Sequence, residues 1–203
     1  MNNSLPPSLL LTFRPEGLSR FFPLLQTGVM VEAEVGSSVR DFLLTLPGVD
    51  SAYIDGRIKT VFLNGKVVDD VETAFLDDGS ILALSAAMPG LAGAALRRGG
   101  GLASFRSQIT FPAREKPGPR RKGFVLIKLY NLILKELGVI FLRRGIFLAS
   151  AALAKFFKGQ SEEFWVNLKT ALVNGAGKDA KELLQMNWAG LHETMELKVD
   201  FDI

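Results

Sequence analysis

The sequence predicts an α+β protein with a strand-rich N-terminal half and a helix-rich C-terminal half. Three observations lead there. Residues 58–84 alternate β-branched and apolar runs with two tight-turn signals. A capped helical pattern precedes them, between Ser37 and Pro47. Beyond Gly123 the apolar side chains recur mostly at helical spacing, punctuated by glycines.

Taken in order, residues 9–13 (Leu-Leu-Leu-Thr-Phe) read as a first strand. Residues 14–27 carry Pro15, Gly17 and Pro23 and read as a loop, with room for a helical turn over 18–25. Residues 29–35 alternate apolar and acidic side chains, the period of a half-buried strand, and Gly36 ends them. Ser38 offers an N-cap, with Asp41 three residues on as its capping-box partner and a favourable charge for the helix dipole. Val39, Phe42, Leu43 and Leu46 follow at helical spacing until Pro47-Gly48. Residues 60–63 form a strand, Asn64-Gly65 favours the positive φ angles of a two-residue hairpin, and residues 66–68 return antiparallel. Asp77-Asp78-Gly79 is a second turn, and residues 80–84 behind it read as a buried strand. Strand, strand, helix and hairpin elements in this order correspond to one helix laid across a mixed sheet, a β-grasp (ubiquitin-like) arrangement.

In the second half, Lys128, Asn131 and Lys135 lie opposite Leu126, Leu129, Tyr130, Ile133 and Leu137, which predicts an amphipathic helix over 124–137 stopped by Gly138. Such a helix belongs in a core; a membrane-surface role is its alternative. Residues 139–148 fit either a hairpin or a continuing broken helix. Helices are expected over 149–157, 161–173 and 177–191, and residues 195–201 alternate as a terminal strand able to join either half. The expected organisation is a β-grasp domain over 1–95, a basic Gly/Pro linker over 96–122, and a helix-rich domain with a terminal strand over 123–203.

Composition narrows the chemistry. The 203 residues are 48% apolar and 22% charged, as in a folded protein, and contain no cysteine. Disulfides, thiolate nucleophiles and sulfur-ligated metals are thereby excluded, in keeping with a reducing cytoplasm. A mean hydropathy of +0.22, with the apolar excess in the second half, suggests docking or a homodimer. The polar, proline-broken start does not resemble a leader, and the nearest candidate for a span, residues 138–154, carries Arg143 and Arg144, so no membrane span is expected. His192 is the single histidine and builds neither a metal site nor a Ser-His pair. Gly175-Ala176-Gly177-Lys178-Asp179 is not a P-loop, because Leu172 stands at the first glycine position and Asp179 replaces the Ser or Thr. The carboxylates of Asp69-Asp70 and Asp77-Asp78 read as solvated turn residues. No catalytic set, metal or cofactor is expected.

Charge is segregated. Residues 1–95 carry six basic and eleven acidic side chains, a net of −5, whereas residues 96–123 carry eight basic against Glu115 alone, a net of +7. Arg97 and Arg98 beside Gly99, Gly100 and Gly101 unite guanidiniums with backbone able to form an anion nest. With Arg120 and Arg121 they are the candidate site for a phosphate, nucleotide or pterin-type anion. Nucleic acid is a weaker version, since aromatic interleaving is thin. A flexible solvated linker is the plain alternative.

Three short stretches, Val61-Phe62-Leu63-Asn64-Gly65, Leu76-Asp77-Asp78-Gly79-Ser80 and Met88-Pro89-Gly90-Leu91-Ala92-Gly93, resemble the ubiquitin-like sulfur-carrier family of the molybdopterin synthase small subunit and the thiamin-pathway carrier. The resemblance covers slightly under half the chain. It implies a non-catalytic carrier or interaction module in sulfur transfer or cofactor assembly, with an activating or cofactor-assembly enzyme as partner. The tail residues Met88, Pro89, Gly90, Gly93, Gly99, Gly100 and Gly101 would be its working part. The family ends at two glycines. Here Ala92-Gly93 has one, and the run Gly99–Gly100–Gly101 is followed by a further stretch to Ile203. A sulfur-carrying role would therefore need cleavage after Gly100 or Gly101.

Overall fold

A computed structural model describes residues 6–101, 109–113 and 118–202; Arg106, Arg114 and Lys116 of the basic segment lie outside these. The chain forms two compact units, one of Met1–Pro23 with Phe141–Ile203 and one of Leu24–Ile140.

The Leu24–Ile140 unit contains strands β2 (Val29–Val35), β3 (Thr60–Leu63), β4 (Lys66–Val67), β5 (Ile81–Ser85) and β6 (Arg121–Tyr130). They lie in the order β4-β3-β5-β6-β2. β6 runs antiparallel to β2, with Val31 opposite Val125, and parallel to β5, with Leu82 opposite Ile127. Helix α1 (Phe22–Thr27) precedes β2, and helices α2 (Val39–Leu44) and α3 (Ser51–Arg57) follow it. As expected, the Ser38 hydroxyl accepts the Asp41 N–H at 3.0 Å. Asn64 (φ 51°) and Gly65 (φ 78°) make the predicted hairpin turn. Asp50 caps α3, accepting from the Tyr53 N–H at 2.7 Å, a helix that the sequence reading passes over as a short link. The core is Val31, Leu43, Ile54, Val61, Leu63, Leu82, Leu84, Val125, Ile127 and Leu129, all at 0% exposure.

The other unit is built on β1 (Ser8–Phe13), β7 (Ile146–Ala149), β8 (Leu168–Val173), β9 (Ala176–Gly177) and β10 (Thr194–Phe201), ordered β7-β10-β1-β8-β9. β1 is parallel to β10, with Leu11 opposite Val199, and antiparallel to β8. Phe13, Phe21, Phe156, Phe164 and Phe201 form a ring cluster, Phe21 standing edge-on to Phe13 with centroids 5.2 Å apart. Such pairs contribute about 0.5–1.5 kcal/mol each beyond area burial. Helices α6 (Ser150–Lys158), α7 (Glu162–Val166), α8 (Ala180–Gln185) and α9 (Trp188–Leu191) also belong to it.

These topologies overturn the predicted fold of a β-grasp domain followed by a helix-rich domain. Residues 9–13 do not pair with 29–35. The place beside β2 is taken by β6, where an amphipathic helix over 124–137 is expected from the sequence. Val125, Ile127 and Leu129 point inward, and Phe124 and Leu126 on the other face are apolar too, so the period of two is masked. Asn131, at φ 54°, breaks the strand and starts α5 (Asn131–Arg144). Over 139–148 the continuing-helix alternative holds as far as Arg144, where α5 ends, and β7 follows in place of further helix; the hairpin alternative does not form. The expected helix over 161–173 ends at Val166, and β8 with β9 forms a hairpin across Asn174 (φ 49°) and Gly175 (φ 81°). The expected helix over 177–191 divides into α8 and α9. The terminal strand is present, and it joins β1.

The cysteine-free sequence permits a clean check of β6. A Glu34→Cys, Lys122→Cys double variant pairs two directly opposed positions. It is expected to oxidise to an intramolecular disulfide, seen by non-reducing peptide mapping. Glu34→Cys with Lys128→Cys, shifted along the same strands, is expected to remain reduced.

Candidate functional site

The segment predicted as a working tail is folded against its own unit. Met88 and Pro89 lead into α4 (Gly90–Leu96), with Gly90 at φ 76°. Gly93 is buried, and a Cβ there would stand 1.8 Å from the Met88 carbonyl oxygen, so the close turn requires glycine. Arg97 is exposed and extended. Arg98 turns inward: its N–H donates to the Lys59 carbonyl at 2.8 Å, and its Nη2 donates to the Ile54 carbonyl at 3.0 Å and to Asp55 Oδ1 at 3.3 Å. Its side chain is 12% exposed. Gly99, at φ 61°, donates its N–H to Asp69 Oδ1 at 3.3 Å, and Gly100 donates to the Arg97 carbonyl at 3.1 Å.

Two recesses flank this anchor. One, of about 460 Å³, is lined by Asp55, Lys59, Ala94, Arg97, Arg98 and Gly99 to Gly101. The other, of about 430 Å³, is lined by Arg40, Asp69, Asp70, Val71 and Glu72, and shares Asp55, Arg98 and Gly99 with the first. Arg40 reaches Asp55 with both terminal nitrogens, at 3.3 and 3.5 Å. That contact, and secondarily Arg98, holds the Asp55 carboxyl below its ordinary range. Lys59 Nζ donates to the Asp55 carbonyl at 2.7 Å, leaving further ammonium protons for a ligand. Among the described residues, Nε and Nη1 of Arg98 have no hydrogen-bond partner.

α3, which supplies Ile54 and Asp55, is itself held in place. Tyr53 Oη donates to Glu136 Oε2 of α5 at 2.7 Å, and Arg57 pairs with the same carboxylate. Burial first, then Glu136, raises the Tyr53 phenol above its usual range; Arg57 lowers the Glu136 carboxyl.

Of the sequence-predicted residues, Arg97, Arg98, Gly99, Gly100 and Gly101 converge on the first recess. Arg120 and Arg121 do not. Arg120 bridges Glu34 at 3.0 Å and Asp41 at 2.9 Å, and Arg121 binds Asp78 at 3.2 Å. Sequence reasoning did not single out Lys59, Asp55 or Arg40. In the sequence Asp69 reads as a solvated turn residue, yet it contacts the glycine run. Among the described residues, no group of three or more His, Cys, Asp or Glu is placed to hold a metal, and no helix is long and apolar enough to cross a membrane. His192 lies with Nδ1 3.1 Å from the Thr194 carbonyl, a local contact.

Arg98→Ala is expected to lower stability by roughly 1–3 kcal/mol, because the Ile54 carbonyl loses a charged donor. Urea unfolding measures it. The Glu136 carboxyl has a depressed folded-state pKa, so its contribution is present above the unfolded value and lost as pH falls through the folded one. Below about pH 4.3 the wild type should lose thermal stability more steeply than Glu136→Gln, read from melting temperatures between about pH 7 and 3. No family model matches the chain, and no curated protein and no solved structure matches it.

Proposed function

We propose that this is a non-catalytic binding protein whose Lys59–Arg97–Arg98 recess takes a small ligand bearing a phosphate or carboxylate. The observation that carries the reading is Arg98. A guanidinium largely withdrawn from water and oriented by the Ile54 carbonyl and Asp55 lines a recess, and among the described residues its Nε and Nη1 have no hydrogen-bond partner. Pre-orientation lowers the ordering cost of binding, and each remaining N–H can donate singly to a ligand oxygen. Lys59 and Arg97 add positive charge on the same wall.

The geometry favours this over the sulfur-carrier reading. A carrier acts through a released glycine carboxyl, and release after Gly100 or Gly101 would separate β2 to β5 from β6, the strand between β2 and β5.

Titration calorimetry of the intact chain with inorganic pyrophosphate, inorganic phosphate and succinate tests the proposal. At least one is expected to bind with a Kd below about 1 mM. Lys59→Ala and Arg97→Ala, which do not remove the Arg98 anchor, should each weaken it about tenfold. Binding unchanged in both variants, or no binding of any of the three, would overturn the reading.

A further inference from the structure

Resting on that anion-binding reading, we infer that the Asp69 carboxylate is an internal competitor for the site, occupying the Gly99 N–H that an incoming anion would otherwise take. Several observations converge. The Gly99 amide lies between Arg98 and Gly100, at the point shared by both recesses. Its positive φ of 61° directs the N–H toward Asp69 Oδ1 at 3.3 Å, at the long end of the hydrogen-bond range and therefore readily exchanged. The next amide, Gly100, is closed off by the Arg97 carbonyl at 3.1 Å, whereas the acceptor of the Gly99 N–H is a side-chain carboxylate. That acceptor carries the charge of the proposed ligand. A backbone amide beside a guanidinium offers an anion two kinds of donor. In this protein an aspartate from thirty residues earlier in the chain already takes one of them.

Asp70, its neighbour, is differently placed. It accepts from the Glu72 N–H at 2.8 Å and from the Thr73 hydroxyl at 3.1 Å, and it makes a turn of its own. The two adjacent carboxylates therefore separate a contact effect from a general charge effect.

The experiment is pyrophosphate titration of wild type, Asp69→Asn and Asp70→Asn at fixed ionic strength, by calorimetry and by amide NMR. Asn keeps the size and acceptor oxygen of Asp69 and removes its charge. Asp69→Asn is expected to bind about tenfold more tightly than wild type, and Asp70→Asn less than about threefold more tightly. In wild type the Gly99 amide resonance should move on titration, a readout that needs no variant to fold. An unmoved Gly99 resonance during wild-type binding overturns the inference. So does equal tightening in both variants, or none in Asp69→Asn; in these cases the anion reading stands. No binding by any of the three proteins overturns both.

Discussion

The Leu24–Ile140 unit depends on β6 lying between β2 and β5. Val125, Ile127 and Leu129 are each at 0% exposure, and burying side chains of this size contributes roughly 1.5–3 kcal/mol apiece. The same strand provides hydrogen-bonding partners to two neighbours at once, antiparallel on one side and parallel on the other. Without it both would present open edges. A strand in that position also determines what precedes it. The residues after β5 lead back into the middle of their own sheet, so the glycine-bearing stretch folds into α4 and docks through Arg98 instead of projecting as an arm.

How much of this was legible depends on distance along the chain. The Ser38 cap, the Asn64-Gly65 hairpin, the Asp78-Gly79 turn and the alternating strands at 29–35 and 195–201 are local signals, and each stands where it was read. The pairing of strands was not legible. Nothing near residues 9–13 indicates that their partners are β10 and β8, because pairing there is set by burial of the ring cluster, which draws on three distant segments. β6 was missed because both of its faces are apolar. The Asn174-Gly175 turn carries the same local signal as Asn64-Gly65, inside a stretch whose glycine spacing also imitates a phosphate loop.

At the candidate site the divide is similar. The run from Arg97 to Gly101 could be found by composition, since guanidiniums beside glycines are informative wherever they stand. Its partners could not. Asp55 comes from α3, Lys59 from the link between α3 and β3, and Asp69 from the loop after β4, up to 43 residues away. The two carboxylates change the character of the site from a bare basic patch to a balanced one, in which Arg98 is oriented by carbonyl and carboxylate. Arg120 and Arg121 show the reverse. Counted in sequence they belong to the same basic block, yet in space they serve the β2–β6 ladder by pairing with Glu34, Asp41 and Asp78.

The parallel pairing of β1 with β10 has a consequence for biosynthesis. Segment Leu24–Ile140 is continuous, so everything it needs has left the ribosome once α5 emerges. β1, by contrast, must wait for Thr194–Phe201, and in that interval Phe21 has no Phe201 to pack against. Closing so long a loop is slow compared with local folding. The nascent chain thus carries the apolar segment of residues 8–21 in search of its partner while everything up to β10 is made, and the continuous unit matures first.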